Sequence, residues 1–519
     1  MRSVTARSHL SLLGFVMGCM LSAAPSLAGP PEPIDTTAMI EAMPRDVGLV
    51  VVAEGLRETL ASPQGQSLIR AISESGFFRP TGEQWAALSG RLGYSPIEGA
   101  AELLGRRVVL VATEASPRSI GRASEGAWGL MTWVSPANER RLIKKLRLTP
   151  RRKIGAQPVL AAEQGEFHVT LLGDGGDGWR VLLVSPAAER EMIKPMIEAL
   201  RAARAAPGAA MIPARAAQAD ATMRARLREE NAGVLDLSVQ QSPDGWRVDL
   251  LSTLPADRRA KIGRREVCAQ TFERLAPRAL LLLSESVPDR GGDTADTGLV
   301  LSSLFTQVPE RFRRILGGRT LLMVEDAQSP GAAPSLLLAS EASYPGDPVA
   351  EGDRAIGALL SPGAGSAPPE GAIEGQYPRA VRTDTLDASS SIFGGRVHAA
   401  WAYSPERRAG SRWWALRLSD HAGKTDTFRA FVDALPPEDR QPEGARTIAM
   451  GLIRPRALID QFSNTPWTEL APIRAASNIE NVTWSLRLIE TPEPGETRLS
   501  GVVEIEMRRR EASEPGGAP

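Results

Sequence analysis

The chain has 519 residues, with 61 basic side chains, 61 acidic ones and four histidines. A net charge of zero argues against nucleic acid or an anionic membrane as the main partner, because both call for a basic face. Two cysteines, Cys19 and Cys268, cannot make a disulfide framework, so stability must come from buried apolar area, for which the length allows two or three cores.

Arg2 and Arg7 precede an apolar run, Leu10 to Ala24, that is short for a membrane span and is followed by Ser26-Leu27-Ala28. This pattern reads as a signal peptide over residues 1–28, cleaved after Ala28, with a tether over 29–42 that opens GPPEP. The mature protein is then exported, either periplasmic or secreted. A competing reading takes Val16-Met17-Gly18-Cys19 as a lipobox, which would leave a protein lipid-anchored through Cys19. Cleavage after Ala28 removes two basic residues and no acidic one, and leaves Cys268 as the single thiol. No later segment has about 18 uninterrupted apolar residues, so no transmembrane helix is expected in the mature chain.

Beyond the tether, blocks recur in the same order. MPRDVGLVVVAE (43–54) pairs with LAPRALLLLSE (275–285), and LLGRRVVLVATE (103–114) with ILGGRTLLMVED (315–326). Residues 167–186 pair with 397–420, each as strand, turn and strand. Residues 232–252 pair with 479–507, each as a closing hairpin with period-two alternation. The expected fold class is α+β: two similar lobes from internal duplication, each a mainly antiparallel sheet with helices packed on one face. The lobes are expected at 43–255 and 275–508, with a linker over 256–274 and a disordered tail over 509–519. Within a lobe the expected order is strand, two helices, two strands, helix, two strands, helix, short helix, hairpin. Segments 327–334, 361–372 and 384–395 read as surface loops.

A shorter repeat is nested inside the first lobe: VSPANERRLIK from Val134 and VSPAAEREMIK from Val184. In both copies the serine (Ser135, Ser185) should cap a helix, with proline at the first helical position and Glu139 or Glu189 in the first turn. Ile143 and Ile193 then begin the buried stripe. The second of these helices, 187–200, carries Met192, Ile193, Met196, Ile197 and Leu200 on one face, and Pro195 should kink or shorten it. A helix over 424–435 aligns Phe428, Phe431, Val432 and Leu435.

The sequence offers little catalytic chemistry. No serine lies in GxSxG, and Ser419-Asp420-His421 are adjacent, whereas a triad needs groups from separate segments. His168 and His398 occupy matching places in the two lobes, and each reads as a strand histidine at a sheet face. There is no HxH, HExxH or CxxC, so no metal is expected. DGGDG (174–178) reads as a hairpin turn rather than a calcium loop, and DRGGDTADTG (289–298) as a solvated loop. Gly105 and Gly317 are single glycines before strands and do not make a phosphate cradle. Asn481 sits in a sequon but in an expected strand. Trp128, Trp133, Trp179, Trp246, Trp401, Trp413, Trp414 and Trp484 stand at strand edges, where an aromatic anchors a hairpin.

The exported start, the lobe openings, GLIRPRALID (451–460) and the closing hairpin together resemble large exported bacterial proteins of unknown function from planctomycete-like genomes. The resemblance implies an envelope or secreted location. No catalytic, cofactor-binding or metal residue is assigned. The expected function is a non-catalytic binding or scaffold protein of the bacterial envelope, with its ligand in a cleft between the lobes. The alternatives are an envelope hydrolase using loop carboxylates, or a lipid or lipoprotein handler with an apolar pocket.

Overall fold

The computed structural model describes residues 34, 36–43, 47–55, 88–104, 106–112, 128–161, 167–175, 178–186, 190–205, 223–229, 233–242, 244–254, 265–287, 318–326, 334–341, 380–385, 396–403, 413–419, 431, 433–435, 445–461, 476, 479–490 and 497–507. The chain divides into two compact units: Met1–Ser252 with Leu470–Asn478 and Met507–Pro519, and Thr253–Glu469 with Ile479–Glu506. The architecture is mostly antiparallel sheet with a few helices, within the broad α+β class. The signal-peptide, lipobox and tail segments, the three low-complexity segments, Asp420, His421 and the run 289–298 lie outside the described residues. Residues 334, 384 and 385 are the exceptions within those spans.

The first unit contains strands β1 (Leu49–Glu54), β2 (Arg107–Ala112), β3 (Trp128–Val134), β4 (Thr149–Ile154), β5 (Gln157–Ala161), β6 (Phe167–Asp174), β7 (Arg180–Pro186), β8 (Met223–Glu229), β9 (Gly233–Ser242) and β10 (Gly245–Leu254). Its sheet runs β10-β9-β8-β1-β2-β3-β7-β6-β5-β4, every neighbour antiparallel. Its helices are α1 (Thr36–Glu41), α2 (Pro96–Leu104), α3 (Pro136–Lys145) and α4 (Arg190–Ala205).

Helices cover both faces of this sheet, not the one face expected. Val50, Val52, Val109, Met131, Trp133 and Leu183 pack with Met39 and Ile40 of α1 and Ile193, Met196 and Leu200 of α4. On the opposite side, Val134, Val169 and Leu182 pack with Leu103 and Leu104 of α2, and Leu142 and Ile143 of α3 join them. The reason is legible in β1. LVVVAE is an unbroken apolar run, so neither face can be left to water.

Three further expectations are corrected. Residues 36–41, within the expected tether, form α1, because Met39 and Ile40 are apolar enough to bury in the core. Within the expected linker, residues 269–275 form α5 (Ala269–Leu275), with Phe272 and Leu275 buried. Helix α4 ends at Ala205, five residues past the expected end, because LRAARA is built of good helix formers; Pro195 lies inside it. Residues 187–189 lie outside the described set.

Two elements in the first unit have no counterpart in the expected order. One is the β4–β5 hairpin, turned at Gly155 in the left-handed region (φ +59°). The other is β8, whose MRARLRE is composed largely of helix formers. Pairing with β1 on one side and β9 on the other overrides that local preference.

The second unit contains β11 (Ala279–Val287), β12 (Gly318–Glu325), β13 (Ser335–Glu341), β14 (Ala380–Thr385), β15 (Arg396–Tyr403), β16 (Trp413–Ser419), β17 (Arg446–Ile453), β18 (Ile479–Glu490) and β19 (Thr497–Met507). Its strand registers give the order β18-β17-β11-β12-β13-β16-β15-β14, again antiparallel throughout. Read outward from the first strand of each unit, β1 or β11, the two orders agree strand for strand, except that β4 and β10 have no equivalent in the order of the second unit. The second core gathers Leu282, Leu321, Met323, Leu337 and Trp413 under Phe272 and Leu275 of α5 and Phe431, Ala434 and Leu435 of the following helical turn. Phe428 and Val432 of the expected 424–435 stripe lie outside the described residues.

GLIRPRALID spans the end of β17 and α6 (Pro455–Gln461). Gly451 is required there. A Cβ on it would lie 1.9 Å from the ring of Trp484, its cross-strand partner. Arg454 then ties the strand end down by donating from Nη1 to the Ala279 carbonyl at 2.9 Å.

Candidate functional site

Two groups of buried polar side chains start from the repeated LG-R blocks. In the first unit Arg107 opens β2. Its Nε lies 2.7 Å from Oε1 of Glu54, its cross-strand partner on β1. Its guanidinium stands 5.0 Å from the ring centre of Trp133, its partner on β3 by register. Next to it, Arg106 lies 5.3 Å from the Trp179 ring centre. Cationic groups on the faces of indoles keep arginines favourable where water is scarce.

In the second unit Arg319, the matching residue of the repeat, stands 5.7 Å from the Trp413 ring centre. Its carboxylate is Glu341, supplied by β13. Oε1 of Glu341 accepts from Nε (2.9 Å) and Nη2 (2.6 Å) of Arg319, and Oε2 accepts from the Arg319 backbone N–H (2.8 Å) and from Arg265 Nη1 (3.1 Å). Both partners are nearly inaccessible, at 4% and 1% side-chain exposure. The approach depends on Gly318. It adopts φ +59°, and a Cβ there would meet Glu341 Oε2 at 2.2 Å. A second pair sits at the other end of β12 and β13, where Arg278 and Ser335 both donate to Glu325.

A third polar cluster ties α2 to α3. Asn138 is buried; its Oδ1 accepts from the Tyr94 hydroxyl at 2.6 Å, and its Nδ2 donates to Glu102 Oε2 at 2.8 Å. Arg141 lies 4.5 Å from the Tyr94 ring centre. Burial pushes the Tyr94 hydroxyl above its ordinary pKa of 10.0, with Arg141 acting in the opposite direction. Asn138 is one of three residues that differ between the two copies of the nested repeat, with Arg141 and Leu142; the second copy has Ala188 in its place. Just upstream, Ser95 and Glu98 form a reciprocal cap on α2, and the backbone N–H of Ser95 holds the Glu98 carboxyl below its usual range.

No family model, curated protein or solved structure matches this chain.

The sequence-level candidates fall as follows. His168 lies opposite Ser185 on the β6–β7 ladder, and His398 lies opposite Ser419 on the β15–β16 ladder. The matching places inferred from the repeat are therefore matching register positions. The side chain of His398 is outside the described set. Ser185 is 1% exposed and its hydroxyl makes no hydrogen bond among the described residues, so His168 does not engage it as a nucleophile. Residues of DGGDG make a hairpin end: the Gly175 N–H donates to the Trp179 carbonyl at 2.9 Å, and Gly178 takes φ +83°. Asn481 lies in β18, and its side chain donates to Glu506 at 2.5 Å. Trp133, Trp179, Trp246, Trp413 and Trp414 are all buried, as hairpin anchors should be. Among the described residues no group of three His, Cys, Asp or Glu could hold a metal ion, and no helix is long and apolar enough to cross a membrane.

The sequence reading missed the Arg319–Glu341 pair and Asn138. An arginine shared by two strand starts pointed to Arg319 but not to its partner, and a polar residue in one copy of a repeat that has alanine in the other pointed to Asn138.

Proposed function

We propose that the protein is an exported, non-catalytic binding or scaffold protein of the bacterial envelope, built by duplicating one antiparallel lobe. The observation that carries the reading is the common strand order of the two units, with His168–Ser185 and His398–Ser419 at the same register position in each. The buried charges support a structural rather than a chemical use. Glu341 accepts four hydrogen bonds, so its lone pairs are already engaged by its own chain. A general acid or base needs a free site for a proton in transit.

Export is tested by amino-terminal sequencing of the protein recovered from the producing cell. A mature start at Gly29 supports the reading. A fatty-acylated start at Cys19 would select the lipid-anchored form. An intact Met1 on protein in the cytoplasmic fraction would sink the envelope assignment. Duplication is tested by superposing the two units in an experimental structure: β1 should fall on β11, β7 on β16 and β9 on β18.

A further inference from the structure

Near-neutral net charge hides a segregated surface. No acidic residue lies between Arg140 and Lys153. Helix α3 and its end present Arg140, Arg141, Lys144, Lys145 and Arg147 to solvent, all exposed. The following strand β4 adds Arg151 and Lys153, both exposed, whereas Arg152 between them buries its Nε and Nη2. The apolar residues of the same stretch point the other way. Leu146 and Leu148 are buried in the α2–α3 core, with Leu142 and Ile143 packed against it. The nearest acids on the same helices are engaged: Glu139 with Arg180 at 3.6 Å, and Glu102 with Asn138.

Helix and strand are locked together. The helix closes with the Leu148 N–H bonded to the Ile143 carbonyl at 2.9 Å and the Arg147 N–H to the Lys144 carbonyl at 3.4 Å. This is the six-to-one and five-to-two pattern that glycine normally completes. Here Arg147 occupies the left-handed position, φ +51°, the one non-glycine among the described residues to do so. A cation is thus held in the turn between two other basic segments at some conformational cost.

Protection of an edge strand explains the charges and Pro150 on β4 by themselves. The dipole of α3 explains Lys144 and Lys145. Neither accounts for a basic face that continues across helix, turn and strand. We propose that this α3–β4 face docks electrostatically on an anionic lipid bilayer. The strip contains no aromatic residue on which a base or sugar could stack, and its apolar side chains face the core, so nothing inserts. Charge density spread over a surface, without a pocket, suits a plane of anionic headgroups. The proposal rests on the envelope reading only for bringing the protein near a membrane.

The test uses protein produced without residues 1–28, so that no lipid on Cys19 contributes, in sedimentation with vesicles. Vesicles of phosphatidylcholine mixed with phosphatidylglycerol should retain the protein at low salt, and phosphatidylcholine alone should not. About 1 M salt, where the screening length is about 3 Å, should release it. A variant combining Lys144→Glu, Lys145→Glu, Arg151→Glu and Lys153→Glu should lose at least about a hundredfold in partitioning, since each cation near an anionic surface contributes about fivefold. Lys194→Glu with Arg201→Glu on α4 should lose far less. If the fourfold variant unfolds, as circular dichroism would show, Lys144→Gln with Lys145→Gln should still weaken binding. No retention on anionic vesicles, retention of duplex DNA in their place, or an equal loss in the α4 variant overturns the proposal. Because the assay is independent of export, its failure leaves the amino-terminal sequencing result standing, and the reverse also holds.

Discussion

Arg107 and Arg319 begin matching strands and lie over indoles, yet their carboxylates differ in kind. Glu54, beside Arg107, keeps 40% of its side-chain surface exposed. Glu341, beside Arg319, keeps 1%. Exposed pairs exchange water for each other at little net gain, whereas a buried pair cannot lose one partner without stranding the other. The same repeat position therefore carries a carboxylate that water partly reaches in one unit and one that it does not reach in the other, although both arginines are buried. The second unit also supplies what such burial demands: a left-handed glycine to admit the carboxylate, and Arg265 to occupy its second oxygen.

The largest expected effect follows directly. Glu341→Ala should destabilise the second unit by roughly 3–5 kcal/mol, because Arg319 stays buried without its counter-charge. Glu54→Ala should cost the first unit less, because Arg107, though itself only 6% exposed, loses a carboxylate whose place water already partly reaches. Amide hydrogen exchange on β12–β13 against β1–β2 reads the two units separately. Equal losses would show that exposure does not distinguish the pairs.

Gly318→Ala comes next. It places a Cβ at φ +59° and 2.2 Å from Glu341 Oε2, so it should cost about 2 kcal/mol and loosen the same β12–β13 amides. The residue before Arg107 is Arg106, whose φ is negative, so Arg106→Ala should lose mainly its contact with Trp179, a smaller effect. A tolerated Gly318→Ala would mean that the carboxylate can retreat without loss.

How much of this was legible depends on the range of the cause. The collinear blocks placed strands at β1, β2, β6, β7, β9 and β10 and their partners, because apolar runs and turns are local signals. β8 was hidden because its own preference is helical and its neighbours lie far away in sequence. Cover on both faces was implied by LVVVAE but needs the locations of α1 and α2, which no local pattern supplies. The pairing of Arg319 with Glu341 was out of reach, since 22 residues separate them and register decides it. Whole-chain charge is silent on such a feature for the opposite reason: an average over 519 residues erases a basic stretch confined to fourteen.

Asn138→Ala gives the first nested copy the residue that the second has at that position. It leaves the Tyr94 hydroxyl and Glu102 without their shared partner, and should cost about 1–2 kcal/mol, measured by urea unfolding of the full chain.

The smallest effects come from the two serines. Ser135 caps α3 as its spacing predicts, its Oγ accepting from the Asn138 N–H at 3.2 Å. Ser185 does not do the same. It is held within β7 opposite His168, buried and without a hydrogen bond among the described residues, and the described part of α4 begins only at Arg190. Extending the strand through Pro186 keeps the ladder to β6, and the helix yields those positions. Ser135→Ala should therefore cost about 1 kcal/mol. Ser185→Ala should be neutral or stabilising by a few tenths, since it removes a buried hydroxyl that has no partner. Thermal unfolding of the two single variants separates them by sign. A comparable loss in both would restore the reading in which one motif makes one joint. Opposite outcomes would show that eight shared residues out of eleven can specify a helix cap in one place and a strand end in the other, with the neighbouring ladder making the choice.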